Sequence, residues 1–159
     1  MNMSQIMSIR QKQKETMKIS KVKIKDINNI VDLELRVFGH TLGHSFMVMD
    51  IDRDISLYLK IEENENLVGY ISIRINDDKA EMLNFVVEPR FQYQGYGRTL
   101  LHCAYEKLQR MKVKSLILEV REYNKNARSF YEKEGFKELL IRKNYYNDCD
   151  AVVYIKEDI

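Results

Sequence analysis

The chain has 159 residues, of which 45% are hydrophobic and 31% charged, with ten tyrosines and six phenylalanines but no tryptophan. This composition excludes a disordered chain, and the length is that of one domain that buries about two thirds of its unfolded surface. The formal net charge of +2 is too small to predict a nucleic-acid partner, although a local basic patch around a phosphorylated ligand is compatible with it.

The rare residues exclude further classes of protein. Cys103 and Cys149 lie far apart without a CxxC spacing, which predicts neither a disulfide framework nor a zinc site and favours a reducing cytoplasm. No apolar run approaches a membrane span, and the N-terminus lacks a signal-peptide core, so no membrane partner is expected. His40 and His44 have helical spacing, but Gly43 lies between them and no third ligand candidate is nearby, so no metal is predicted.

The N-terminal part of the chain is predicted in two pieces. Residues 1–16 are a polar, basic extension of uncertain role, compatible with a short helix, a partner-binding arm or a leader. Residues 17–159 are predicted to form one domain that begins with an edge strand from Met17 to Lys25. Asp26 is a good N-cap for a helix through Val37, which Gly39 ends.

Residues 40–55 combine an apolar cluster, Phe46 to Met49, with three aspartates. Their periodicity leaves two interpretations open. One is a short helix packed on a sheet, and the other is an apolar tip on a mobile loop that suits recognition of a peptide.

The rest of the chain alternates strands and helices. Residues 57–61, 67–75 and 80–87 are typical of a three-stranded antiparallel meander, and the unbroken apolar run 116–118 is typical of a strand covered on both faces. A helix is predicted over 124–134 with Gly135 as its cap, followed by a hairpin over 136–146 and 151–156. The predicted order βααβββαβαββ is that of an α/β fold with a mixed central sheet of about seven strands and helices on both faces.

Residues 82–101 predict an anion site. The strand ending at Val87 is followed by the chain's only proline, Pro89, and by a glycine loop that opens a helix near Gly97. Helix N-termini carry unpaired N–H groups and a positive dipole end, and Arg98 adds a full charge. The loop residues expected at the anion are Gln92, Tyr93, Gln94, Gly95, Tyr96, Gly97 and Arg98.

Neither common phosphate loop fits this segment. The P-loop needs Lys-Ser/Thr where Arg98-Thr99 stands, and the dinucleotide fingerprint needs a glycine where Leu100 stands. Because ligands bind at the carboxyl ends of parallel strands, the loop and Glu119, which follows the run 116–118, are expected to lie together.

The pattern Gln/Arg-x-x-Gly-x-Gly/Ala after a strand and V-x-P resembles the pyrophosphate loop of the GCN5-related N-acetyltransferases (the GNAT fold), whose donor is acetyl-coenzyme A. Leu118-Glu119-Val120-Arg121, then Asn124, the segment 130–136 and Asn144-Tyr145-Tyr146 are similar to the ribosomal-protein-alanine N-acetyltransferases of the RimI type and to archaeal N-terminal acetyltransferases. The resemblance implies acetyl transfer to a protein N-terminal α-amine.

The resemblance also implies residue roles. Glu119 corresponds to the general base, and Tyr131, twelve residues later, to the general acid. Acetyl-coenzyme A is expected to contact the glycine loop together with Phe85, Val86, Val87, Asn124 and Tyr131. The acceptor, a protein or peptide N-terminus, is expected to contact Phe38, Phe46, Tyr145 and Tyr146. A monomer or weak homodimer is expected.

The chemistry explains these residue types. An α-amine with a pKa near 8 is about one tenth neutral at pH 7, whereas a lysine is far less so, and therefore an N-terminus demands less of its base. A tyrosine keeps its proton at neutral pH and can give it to the leaving thiolate.

Alternatives remain open from sequence. Glu119 could be a charged strand end in an ion pair, and Tyr131 a packed core residue. The family's Pro-Trp pair is missing from residues 38–49, which leaves the acceptor open. One rival is a small-amine acetyltransferase, for polyamines or aminoglycosides, with Asp50, Asp52 and Asp54 at the acceptor mouth. Another is a non-catalytic coenzyme A binding module.

Overall fold

The computed structural model describes the backbone of residues 1–159 and the side chains of residues 1–11 and 16–159. Helices and strands alternate along this backbone. The helices are α1 (Met3–Thr16), α2 (Ile27–Phe38), α3 (His44–Asp50), α4 (Tyr96–Arg110) and α5 (Lys125–Lys133). The strands are β1 (Met17–Lys21), β2 (Ser56–Glu63), β3 (Asn66–Asn76), β4 (Lys79–Val87), β5 (Ser115–Arg121), β6 (Lys137–Tyr146) and β7 (Cys149–Glu157).

The strands form one seven-stranded sheet in the order β1-β2-β3-β4-β5-β7-β6. Every neighbouring pair is antiparallel except β4 and β5, which are parallel. The predicted mixed sheet and the element order from residue 17 onward are therefore confirmed. None of the described helices has the length and apolar character needed to cross a membrane.

One boundary and one capping interaction differ from the prediction. β1 ends at Lys21, and a short 3-10 turn, Ile24–Asp26, leads into α2. Asp26 stands at the N-cap position, but its carboxylate accepts the Lys23 N–H (2.8 Å) and pairs with Lys60 Nζ (2.8 Å) instead of capping the helix. The nearly buried Lys60 ammonium pairs with both Asp26 and Glu62 (3.0 Å), because a buried charge without counter-charges is costly. Gly39, with φ +75°, ends α2 as predicted.

The parallel pair is short. Only Lys79–Glu81 of β4 pairs with Ser115–Ile117 of β5. β4 continues to Val87 and β5 to Arg121, so beyond the paired residues the two strands diverge and leave a cleft in the sheet. In the described backbone, the edge of β4 after Glu81 has no partner on β5.

Each face of the sheet carries its own core. Helices α4 and α5 cover one face through residues such as Leu100, Ala104 and Tyr131. Helices α2 and α3 cover the other through Ile27, Leu33 and Met47, which are fully buried. Of the two interpretations of residues 40–55, the packed helix is therefore the one that the structure adopts.

Candidate active site

A cavity of about 410 Å³ opens where β4 and β5 diverge. Its walls come from both strands, from α5, from the loop after α2 and from the end of β6. The residues that line it are Phe38, His40, Leu42, Glu81, Met82, Leu83, Asn84, Phe85, Leu118, Glu119, Val120, Arg121, Asn124, Ala127, Tyr131, Tyr145 and Tyr146.

Glu119 and Tyr131 reach this cavity from opposite faces of the sheet. Leu118 and Val120 belong to the core under α4 and α5. Because strand side chains alternate, Glu119 between them points toward the α2 and α3 face. Tyr131 belongs to the α4 and α5 core. The two groups therefore reach the cavity from its two sides.

Glu119 lies beside two polar side chains of β6. Arg142 Nε lies 2.8 Å from Glu119 Oε1, Arg142 Cζ lies 5.9 Å from the centre of the Tyr145 ring, and Tyr145 lines the same cavity as Glu119. The Glu119 carboxylate, with partial burial, raises the pKa of Tyr145 to about 12. The ion pair that the sequence left open for Glu119 thus exists, with Arg142 as the partner, and the paired carboxylate still faces the cavity.

Tyr131 is almost completely buried among aromatic rings. Its ring packs edge-on against Phe130 and Phe136, with centroids 5.4 and 5.5 Å away. The hydroxyl lies 3.6 Å from Met82 Sδ, a weak acceptor. Burial raises the pKa of Tyr131, so the phenol holds its proton at neutral pH and can act as a donor.

Glu34 anchors one wall of the cavity, and the sequence reasoning missed it. This fully buried carboxylate on α2 accepts bonds from Thr41 Oγ1 (2.7 Å), Tyr70 OH (2.7 Å) and the side-chain amide of Asn84. It joins the loop after α2 to β4, and both segments line the cavity. A signal existed, because Glu34 lies on the apolar stripe of α2, four residues after the buried Ile30.

Glu81 and Arg121, also missed, put charge on the α2 and α3 face of the cavity. Arg121 pairs with Asp148 Oδ1 and stacks over the Tyr146 ring at 4.1 Å, which ties the β6–β7 turn to the end of β5. Glu81 is exposed and forms no ion pair with the described side chains.

The glycine loop lies at the start of α4, outside the cavity lining. Gly95, with φ +90°, is the N-cap residue, and Thr99 is the first to bond back into the helix. The amides of Tyr96, Gly97 and Arg98 therefore precede the intrahelical ladder. The Arg98 guanidinium pairs with Glu134 Oε1 (3.2 Å) instead of reaching over the loop.

Gly97 has a packing role. A Cβ on Gly97 would lie 3.3 Å from Phe85 Cζ and 3.4 Å from Val87 Cγ2, side chains of β4. The missing Cβ lets the first turn of α4 approach the unpaired part of β4. The free amides of α4 and the free edge of β4 thus lie side by side.

These features fit acetyl-coenzyme A. A long donor with a pyrophosphate and an amide-bearing arm needs an anion site, a strand edge for its amides and a cavity for its thioester. The start of α4, the edge of β4 and the cavity supply these in order. Among the described side chains, no three His, Cys, Asp or Glu residues gather as a metal-ligand set.

The remaining site residues predicted from sequence divide into two groups. Phe85, Asn124, Phe38, Tyr145 and Tyr146 line the cavity. Phe46 on α3 does not, and its ring is 40% exposed. The Val86 side chain packs into the α2 and α3 core, so only its backbone is available to a donor. Asn124 caps α5 by accepting the Ala127 N–H (3.2 Å).

Residues 27–136 match the acetyltransferase (GNAT) family, and the chain belongs to this family. The donor of the family, acetyl-coenzyme A, is the one that the site fits.

Two curated relatives and one solved structure carry more specific names. The ribosomal protein bS18-alanine N-acetyltransferase of Haemophilus influenzae is 35% identical over 80% of this chain and 86% of its own. That of Haemophilus ducreyi is 39% identical over 57% of this chain, and the match spans 62% of its length. The crystal structure of the ribosomal-protein-S18-alanine N-acetyltransferase from Escherichia coli superposes with a TM-score of 0.81 at 28% identity, covering 89% of this chain and 94% of that one.

Proposed function

We propose that the protein transfers an acetyl group from acetyl-coenzyme A to the N-terminal α-amine of a protein, in a ternary complex and without an acyl-enzyme. The observation that carries the proposal is the placement of Glu119 and Tyr131 on opposite sides of one cavity between β4 and β5. A non-catalytic coenzyme A binding module has no need of a base and an acid that face the same space.

The residue roles follow from the two proton transfers that the reaction requires, one from the amine and one to the leaving sulfur. Acetyl-coenzyme A, when bound, supplies the thioester carbonyl that the amine attacks and the sulfur that leaves. Glu119 accepts the proton that the amine loses as its nitrogen bonds to carbon. Tyr131 donates its proton to the departing sulfur and is restored from solvent. Cys103, which packs against the α4 core outside the cavity lining, is not required as an acyl carrier.

The acceptor is proposed from the relatives and from the charges near the cavity. The relatives are named for the alanine of ribosomal protein bS18, so a bS18-like N-terminus in the cytoplasm is the first acceptor to test. A polycationic small amine would need several free acidic groups at the mouth, whereas Glu81 is the one cavity-lining carboxylate without an ion pair among the described side chains. Asp50 is buried and engaged by Arg74 (2.7 Å) and Tyr58 (2.8 Å), and Asp52 and Asp54 do not line the cavity.

The test measures release of free thiol from acetyl-coenzyme A with a panel of acceptors. The panel contains peptides with free alanine, serine and methionine N-termini, a lysine peptide with a blocked N-terminus, and spermidine. We expect turnover with free N-termini only. Glu119→Gln should lower kcat about 100-fold, and Tyr131→Phe about tenfold, because a thiolate is already a fair leaving group.

Glu122→Gln is the matched control, since Glu122 follows the same strand but does not line the cavity. It should leave kcat within twofold. Turnover of spermidine or of the blocked peptide would assign the enzyme to the small-amine or lysine class. Tight binding of coenzyme A without turnover of any acceptor would instead support a binding module.

A further inference from the structure

Strand β6 departs from regular pairing where it passes the cavity. Arg142 pairs with Ala151 and Tyr146 with Cys149, so four steps along β6 correspond to two along β7. Asn144, inside this stretch, has φ +51°. The segment Arg142–Tyr146, called here the β6 bulge, therefore contains two extra residues.

The β6 bulge brings two side chains to one carboxylate. Residues three apart on a regular strand point to opposite faces of the sheet. Arg142 and Tyr145 are three apart, yet Arg142 Nε lies 2.8 Å from Glu119 Oε1, Arg142 Cζ lies 5.9 Å from the centre of the Tyr145 ring, and Tyr145 lines the cavity with Glu119. The irregular pairing of β6 is what allows both side chains to lie on the side of Glu119.

Asp150 holds the bulge in this shape. Its Oδ1 accepts the Asn144 N–H at 2.8 Å, and its Oδ2 lies 3.2 Å from Lys143 Nζ. The bond to the Asn144 N–H and the Lys143 ammonium lower the pKa of Asp150, which is therefore ionised at neutral pH. The bond to Asn144 satisfies an amide that the β6–β7 ladder leaves out.

We propose that Arg142 and Tyr145 are positioning residues for Glu119, and that the β6 bulge exists to aim both of them at its carboxylate. This inference rests on the proposed role of Glu119 as the base. A carboxylate rotates broadly about its last torsion, whereas a general base must meet the proton it removes at hydrogen-bond distance. The Arg142 ion pair, with the Tyr145 hydroxyl beside it, fixes the carboxylate and leaves its other lone pairs for the acceptor amine.

The first experiment is a kinetic double-mutant cycle with the peptide acceptor that the thiol-release assay identifies. Arg142→Gln and Tyr145→Phe should each lower kcat about tenfold and change the KM for acetyl-coenzyme A less than twofold. Arg142→Lys, which keeps the charge, should recover about a third of the lost activity. Lys137→Gln, an exposed change on the same strand, is the control.

The Glu119→Gln background separates positioning from general damage. In the Glu119→Gln background, Arg142→Gln should lower kcat less than twofold, because the carboxylate that Arg142 positions is gone. An equal loss in both backgrounds, or a loss confined to KM, would overturn the proposal. An unchanged kcat in Glu119→Gln itself would overturn both this inference and the assignment of Glu119 as the base. If Glu119→Gln lowers kcat but Arg142→Gln costs the same in both backgrounds, only this inference is overturned and the proposed function stands.

A second measurement needs no turnover. Tyrosine labelled with carbon-13 at Cζ reports the ionisation of Tyr145 by NMR, with Tyr145→Phe identifying the signal. We expect Tyr145 to stay protonated up to about pH 11 in the native protein, because Glu119 raises its pKa to about 12. Removing the negative charge in Glu119→Gln should bring its midpoint down toward 10. A midpoint that does not move would show that the two side chains are not in contact.

Discussion

Asn124 has a place both in the cavity lining and at the start of a helix. It lines the cavity and also caps α5, the helix that carries Tyr131. Asn124→Ala removes the cap and should destabilise the protein by about 1 kcal/mol. For a domain of this size we expect the melting temperature to fall by about 2–4 °C.

Asn124→Asp separates the two roles. Aspartate caps a helix as well as asparagine does, so the melting temperature should stay unchanged. If Asn124 also contacts coenzyme A, the added negative charge should raise the KM for acetyl-coenzyme A several-fold. Asn126→Ala, in the exposed first turn of α5, is the control for both readouts. A KM that follows the melting temperature across all three variants would leave Asn124 with a capping role alone.

At the residue scale, short-range patterns predicted part of the site. The strand order placed Glu119 at the carboxyl end of its strand, whereas Tyr131 was indicated by the resemblance to the acetyltransferase family, and both residues line the cavity. Arg142 could not be predicted, because its contact with Glu119 depends on a bulge that strand periodicity does not reveal. Glu34 stands on the apolar stripe of α2, but its four donors come from three separate segments.

At the scale of the element, the β6 bulge predicts the behaviour of two neighbouring substitutions. Asp150→Ala removes the acceptor of the Asn144 N–H, so the bulge should relax and move Arg142 and Tyr145 away from Glu119. We expect kcat to fall several-fold and the NMR midpoint of Tyr145 to drop toward 10.

Lys143→Gln is the matched change, because it removes only the exposed ion pair to Asp150 and keeps the bond to the Asn144 N–H. Exposed ion pairs contribute little to stability, so this variant should retain both kcat and the raised midpoint of Tyr145. Equal effects of the two substitutions would show that the Asp150 charge, and not the bulge that it holds, supports activity.

At the scale of the whole molecule, the element order followed from local periodicity, whereas the cleft did not. Sequence indicated a parallel pair of β4 and β5, but not that the pairing stops after Glu81 and Ile117, because the extent of pairing between strands far apart in sequence is not a local property. The conformation of residues 40–55 likewise depends on tertiary packing. Met47 attaches α3 to the sheet through apolar packing in the core, and Asp50 attaches it through its charge.

The attachment of α3 predicts a pH dependence of stability. Burial pushes the pKa of Asp50 upward, but hydrogen bonds from Arg74 and Tyr58 outweigh it, and the net pKa lies below the ordinary value of 3.8. Because the pKa of Asp50 is lower in the folded state, the ionised carboxylate stabilises the fold at pH values above the pKa that Asp50 has in the unfolded chain. That contribution is lost as the pH falls from about 4 through the folded pKa.

Asp50→Asn should therefore cost about 2 kcal/mol at pH 7, because it leaves the Arg74 guanidinium without its counter-charge. The difference in free energy of unfolding between the native protein and this variant should stay constant from pH 7 to about pH 5. It should shrink below about pH 4, where the native Asp50 also loses its charge. Asp52→Asn, an exposed neighbour, should show no such difference. A gap between native protein and Asp50→Asn that persists unchanged to pH 2.5 would mean that shape and hydrogen bonding, and not charge, attach α3 to the sheet.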